Sequence, residues 1–133
     1  MLPQANRLKH RRDFQAVYQK GIRRSGRYFT LRGLRQRRKI PKLAIAVTSQ
    51  SMVVSQPPTR IGISISQKVS KKAVVRNRIK RQIRGVLRHL LPRILPGWHL
   101  AIVVQPRAVT CDYAEFLREL EQLLAEAEVI DGN

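Results

Sequence analysis

The chain is 133 residues long and carries 27 Lys plus Arg against 8 Asp plus Glu, a formal net charge of +19, with a sequence pI near 11.7. Hydrophobic residues make up 43%, enough for the core of one domain and too many for a disordered basic tail. A compact body with this much like charge calls for a polyanionic partner, nucleic acid before an anionic membrane, and argues against a small neutral substrate.

Met1 to Asn6 has no periodicity and reads as an extended arm. From about His10 to Lys20 the pattern is helical, with Phe14, Val17 and Tyr18 on one side and Gly21 as a stop. Residues 27 to 34 alternate as a strand, Phe29 and Leu31 pointing one way and Tyr28, Thr30 and Arg32 the other. After the cationic segment Arg35 to Lys42, Leu43 to Val54 is a second β-like run, ended by Pro57 and Pro58. In Arg60 to Ser66, Ile61, Ile63 and Ile65 alternate with Gly62, Ser64 and Ser66, giving one apolar face and one of small residues. A long helix is expected from about Lys71 to Leu91, stopped by Pro92 and Pro96, and then an apolar strand, Trp98 to Val104, closed by Pro106. The last helix spans about 112–128, with Asp112 and Glu115 at capping-box spacing and Phe116, Leu120, Leu123, Leu124 and Ala127 as its inner stripe. Helix, strand, second β-like run, strand, helix, strand, helix reads as one α+β domain with a mixed sheet.

The charge is unevenly divided. Residues 1–110 hold 26 basic residues and one acid, Asp13, a formal +25, whereas 111–133 hold Arg118 against seven acids, a formal −6. The binding surface therefore belongs to the first 110 residues, and the acidic C-terminal helix is a poor candidate for touching nucleic acid. The lone Cys111 cannot form an internal disulfide or a Cys-based zinc site and suits a reducing cytoplasm. The first twenty residues lack the apolar stretch of a signal peptide, and the aliphatic runs Leu43 to Val47 and Leu100 to Val104 are too short to cross a bilayer.

At roughly 100° per residue, Val75, Ile79, Ile83, Val86, Leu87 and Leu90 of the long helix share one apolar arc. Asn77, Arg81, Arg84 and Arg88 line the opposite side, flanked by Arg78 and Lys80. A charged stripe is ordinarily the solvated face of a helix, but such faces mix signs, and no acid relieves this one. A bound polyanion is the natural compensation. Asn77 can donate and accept toward a base, a ribose or a metal-bound water, or serve simply as a surface amide near the first turn.

The run Lys72 to Arg84, with its core Arg76-Asn77-Arg78-Ile79-Lys80-Arg81, closely resembles the motif of the bacterial ribonuclease P protein subunit. Asn6-Arg7-Leu8-Lys9 followed by Asp13-Phe14, and Arg60 to Ser66 leading to Lys68, agree in order and spacing, so the likeness covers 6–34 and 60 to about 105. It implies a ribosomal-protein-like fold of αβββαβα order with a left-handed βαβ crossover, against the usual preference. It also implies that Arg76, Asn77, Arg78, Lys80, Arg81 and Arg84 contact a large catalytic RNA, with Lys68, Lys72 and Arg88 beside them. A cleft between the first helix and the sheet is implied to hold the single-stranded 5′ leader of precursor tRNA. Phe14 and Tyr18 are its aromatics, Tyr28, Thr30 and Arg32 its strand residues, and Ser64 and Ser66 leave room for a backbone. On spacing alone Phe14 and Tyr18 equally suit the core of an amphipathic helix. Two departures from the family stand out: Arg32 replaces a usual apolar or aromatic cleft residue, and 36–59 reads as an insertion or long loop.

Protein-based, metal-dependent phosphodiester cleavage needs carboxylates, and the basic body offers Asp13 alone. His10, His89 and His99 have no spacing that suggests a catalytic pair. The protein is thus expected to have no catalytic or metal-ligating residues of its own. The resemblance makes the RNA subunit the catalyst of an endonucleolytic, hydrolytic removal of the leader and the holder of Mg²⁺. The expected partners are ribonuclease P RNA and precursor tRNA, with no membrane and no obligate protein partner, in the cytoplasm. A ribosomal or ribosome-assembly protein is the alternative reading. A DNA-binding module is another, although no helix-turn-helix spacing precedes Asn77 and Arg78.

Overall fold

A computed structural model describes residues 2–36 and 58–130. Helix α1 runs Arg11–Lys20, and its last turn closes where Gly21 N–H donates to Val17 O at 3.0 Å. A hairpin of β1 (Ile22–Ser25) and β2 (Phe29–Arg35) follows. After it come β3 (Arg60–Ser64), α2 (Ala73–Leu90), β4 (Trp98–Val104) and α3 (Tyr113–Glu126). Short 3₁₀ turns occupy Gln4–Asn6, Leu91–Arg93 and Pro106–Thr110. The strands form one mixed sheet of order β1-β2-β4-β3, antiparallel except for the β3/β4 pair that α2 connects. This is the expected α+β domain.

The alternating isoleucines of β3 explain how the sheet is sandwiched. Ile61 and Ile63, with Phe29, Leu31, Leu100 and Ile102, face α2 and α3, which contribute Ile79, Ile83, Leu87, Phe116, Leu120 and Leu124. Phe29 and Phe116 meet edge to face, centroids 5.0 Å apart. The opposite side of the sheet carries the small residues Gly62 and Ala101, and there α1 packs with Val17, Phe14, Leu8 and Leu34. One helix thus covers part of that side and leaves the rest open.

Several expectations are corrected. The N-terminal segment is not simply an extended arm: Gln4–Asn6 is a 3₁₀ turn, Leu2 is buried in the main core, Arg7 bridges to Ile61, and Leu8 N–H donates to Ile61 O at 3.1 Å. It covers the outer edge of β3, which would otherwise present unpaired backbone groups. The strand expected over 27–34 begins at Phe29, because Gly26 to Tyr28 form the turn of a hairpin whose first strand, β1, has no buried residue and so left no alternation to read. Strand β3 ends at Ser64 rather than Ser66. The β-like run Leu43 to Val54 lies outside the described residues, as does nearly all of the segment 36–59. No described helix is long and apolar enough to cross a membrane.

Candidate nucleic-acid interface

Helix α2 starts under unfavourable electrostatics: no acid lies in its first turn, no side chain caps it, and Lys72 is its N-cap. The positive end of the helix dipole therefore meets further cations, an arrangement that an anion would relieve. Its buried arc is the one expected from spacing, Ile79, Ile83, Val86, Leu87 and Leu90. That arc turns Asn77, Lys80, Arg81 and Arg84 outward, where with Val74, 80% exposed, they line a concave surface. Arg88 is exposed one turn on, and Lys68 and Lys72 are exposed on the approach to the helix. Among the described residues no carboxylate pairs with this stripe; the ion pair present joins Arg93 to Glu121 at 3.3 Å.

The Arg76-Asn77-Arg78 core does not act as one surface. Arg76 Nη1 donates to Ser70 O at 2.7 Å, and Arg78 Nη2 donates to Val109 O at 2.8 Å, so the two guanidinium groups brace the segments on either side of α2. Asn77, exposed between them, is the member that faces outward. Spacing put Arg78 at the margin of the polar face; its long side chain reaches the other way.

On the α1 side of the sheet, cross-strand register sets out the cleft. Arg23, Arg32, Ala101 and Gly62 form one row, and Ser25, Thr30, Val103 and Ser64 the next. The tip of the Phe14 ring rests on Gly62: a Cβ there would overlap Phe14 Cζ. Tyr18 is 36% exposed, with the Arg32 guanidinium 5.1 Å from its ring centroid and Arg32 Nη1 donating to Tyr18 O at 3.2 Å. Thr30 faces this side but is only 8% exposed, its hydroxyl accepting from Gln105 Nε2 at 3.1 Å, so it belongs to the floor rather than the lining. Ser64 is half-buried, and Ser66, beyond the strand, is exposed and accepts from Lys68 N–H at 3.3 Å.

Tyr28 is misplaced by the sequence reading. It turns away from α1, and its hydroxyl donates to Glu115 of α3 at 2.9 Å. Hydrogen bonding with Cys111 and then Glu115 pushes its phenol up to about 12, so it stays a neutral donor. Glu119, one turn on, accepts from the backbone N–H groups of Arg27, Tyr28 and Phe29 at 2.6, 2.7 and 2.9 Å. This carboxylate clamp pins the hairpin turn to α3, and it is why Tyr28 leaves the strand alternation.

Arg7 and Lys9 of the docked N-terminal segment join the candidate residues, although no spacing singled them out. They share one cavity with Leu8, Phe14, Gly62, Lys80 and Arg84, which joins the α1 cleft to the outer stripe of α2 around the β3 edge. The sequence signal for them was the Asn6-Arg7-Leu8-Lys9 stretch. The histidines do not converge: His10 sits at the N-cap position of α1 without a side-chain cap bond, His89 lies in the last turn of α2, and His99 lies on β4, where burial lowers its pKa. Burial likewise pushes the Cys111 thiol up, away from the reactive thiolate. Among the described residues no three His, Cys, Asp or Glu side chains are placed to hold a metal ion.

A family model described as Ribonuclease P matches residues 2–128. The ribonuclease P protein component of Cyanothece sp. is 57% identical over 132 residues, 99% of each chain. That of Nostoc punctiforme is 56% identical over 137 residues, 99% of this chain and 98% of its own. A solved RNase P protein from Staphylococcus aureus aligns with a TM-score of 0.73 at 26% identity, covering 96% of this chain and 100% of that one. The RNase P protein from Thermotoga maritima shares the fold at 22% identity, with a TM-score of 0.69 over 90% and 96% of the two chains. A basic body with an unpaired cationic helix face beside a half-covered sheet, and these full-length likenesses, place the chain in the ribonuclease P protein family.

Proposed function

We propose that the chain is the RNA-binding subunit of a tRNA-processing ribonucleoprotein, holding the catalytic ribonuclease P RNA on α2 and the 5′ leader of precursor tRNA in the α1 cleft. The observation that carries this reading is the cavity shared by Phe14, Lys80 and Arg84, which makes one continuous surface of an aromatic cleft and a phosphate-seeking stripe. Lys68, Lys72, Asn77, Lys80, Arg81, Arg84 and Arg88 meet the catalytic RNA in this reading, and Arg76 and Arg78 hold the helix that presents them. Phe14 and Tyr18 flank the leader, with Arg32, Ser64 and Ser66 along its path. Single-strand grooves combine a positive track with aromatic platforms in this way.

The chemistry belongs to the RNA. The +25 body supplies one carboxylate, Asp13, so Mg²⁺ is held mainly by RNA phosphates, and the protein side chains contribute binding and charge screening. Gripping the leader raises affinity for precursor over mature tRNA, and the holoenzyme hydrolyses the bond between leader and tRNA. The protein alone is non-catalytic and works in the cytoplasm.

The cleft assignment is tested by Phe14→Ala. Stacking is worth about 1 to 3 kcal/mol per base, so the holoenzyme carrying this variant should lose about tenfold or more of its preference for leader-bearing over mature tRNA. Mature tRNA should bind as before, at a temperature where melting shows the variant folded. Equal losses for both tRNAs would make Phe14 a core residue alone.

A further inference from the structure

Among the described residues two aromatic side chains are exposed, Tyr18 and Tyr113, and the proposed function uses the first alone. Tyr113, 40% exposed, is the first residue of α3. Its ring lies against Gly85 within α2, where an added Cβ would come within 3.3 Å of Tyr113 Cε2. Glycine is unfavourable inside a helix, and here its bare backbone lets the ring settle close to α2. The ring is also held from its own side. Asp112 caps α3 by accepting from Glu115 N–H at 2.9 Å, and Arg78 Nη2 ties the preceding turn to α2 through Val109 O. The acids beside Tyr113 in sequence are thereby engaged, Asp112 in the cap and Glu115 with the Tyr28 hydroxyl.

The surroundings of the ring on α2 are cationic. At roughly 100° per residue, Arg81 and Arg88 lie about 40° and 60° round the helix from Gly85, on the side of Asn77 and Arg84. Both are exposed, one turn before it and one turn after. An aromatic face with cations on either side suits a single-stranded nucleotide: the ring stacks on the base and the cations meet the adjoining phosphates. A base within a duplex has both faces covered by its neighbours, so an unpaired one is needed to offer a face to the ring. The Phe14 cavity is bordered by Lys80 and Arg84, about 140° and 100° round α2 from Gly85. The RNA that reaches Tyr113 is therefore the one lying along the outer stripe. We infer that Tyr113, seated on Gly85, is a stacking platform for one unpaired base of the catalytic RNA, with Arg81 and Arg88 on the phosphates beside it. The inference rests on the proposed seat of that RNA on α2 and extends it to the first residue of the otherwise acidic α3.

The test is binding of the full chain to a bacterial ribonuclease P RNA, followed over a range of salt. Tyr113→Ala should weaken binding about tenfold, the order expected for one lost base stack. Its salt slope should stay that of the wild type, because a stack releases no counterion. Tyr113→Phe should bind like the wild type, and Tyr113→Leu, which keeps an apolar side chain over Gly85, should lose as much as Tyr113→Ala. Melting curves identify a temperature at which every variant is folded. Unchanged affinity in Tyr113→Ala or Tyr113→Leu overturns the platform, whether or not the holoenzyme then binds precursor tRNA less well. An equal loss in Tyr113→Phe assigns the effect to the hydroxyl, and a lower salt slope in Tyr113→Ala assigns it to displaced arginines; either overturns the platform as well. If the wild type does not bind the RNA, or the combined Arg81→Ala, Arg84→Ala and Arg88→Ala variant keeps the wild-type slope, the seat on α2 itself fails and the platform with it. A lower slope in that variant beside full binding by Tyr113→Ala removes the platform alone.

Discussion

Glu119→Ala should lower folding stability by about 3 kcal/mol, among the larger effects available to a single side chain outside the apolar core. The carboxylate accepts three backbone N–H groups from the β1–β2 turn, and two of those bonds are partly buried. A hydrogen bond to a charged acceptor contributes about 1.5 to 3 kcal/mol, and removing the acceptor leaves each buried donor to bear its desolvation cost. Water can re-pair the exposed Arg27 N–H, which holds the total below three full bonds. Urea unfolding should show a lower midpoint at an unchanged slope. A loss below about 1 kcal/mol would mean that the turn holds itself and the clamp is incidental.

The triple replacement of Arg81, Arg84 and Arg88 by Ala should act in the opposite sense on fold and function. RNA affinity at low salt should fall about a hundredfold, and the salt slope should drop by roughly 2 to 3 for three phosphates left without a cation. Thermal stability should hold or rise, because the stripe is exposed and its like charges at i, i+3 and i, i+4 repel by a few tenths of a kcal/mol per pair. Weaker binding from a more stable protein separates a binding face from a structural one. An unchanged slope would make the stripe an ordinary solvated surface.

What the sequence revealed and what it hid divide along the range of the interactions. Ile79, Ile83, Val86, Leu87 and Leu90 repeat at the helical period, so the buried side of α2 and hence its outward face were legible from spacing alone. Arg78 was not, because its acceptor is the Val109 carbonyl, 31 residues away. The Tyr28 error has the same origin: alternation is a local rule, and the group that ends it, Glu119, lies 91 residues further on. Among the acids of α3, Glu119 resembles any member of a solvated face until the hairpin turn is brought against it. Strand β1 lacked a signal because it buries nothing. Phe14 dissolves the choice between core and cleft, since Gly62 beneath it lets the ring pack on the sheet while staying half-buried beside Lys80 and Arg84.

The fold also explains the opposed charges of its two parts. The acidic helix α3 is more than a neutral ballast: Glu115 and Glu119 position the hairpin that carries Arg23 and Arg32. On the basic side Arg76 and Arg78 brace the helix that presents the outward stripe of Asn77, Lys80, Arg81 and Arg84.

The proposed assistance of a catalytic RNA in removing the leader of precursor tRNA is tested most directly by adding the purified protein to a bacterial ribonuclease P RNA and precursor tRNA at limiting Mg²⁺. Leader removal should increase with the protein present, and the protein without the RNA should release no leader. No gain over the RNA alone would contradict the account.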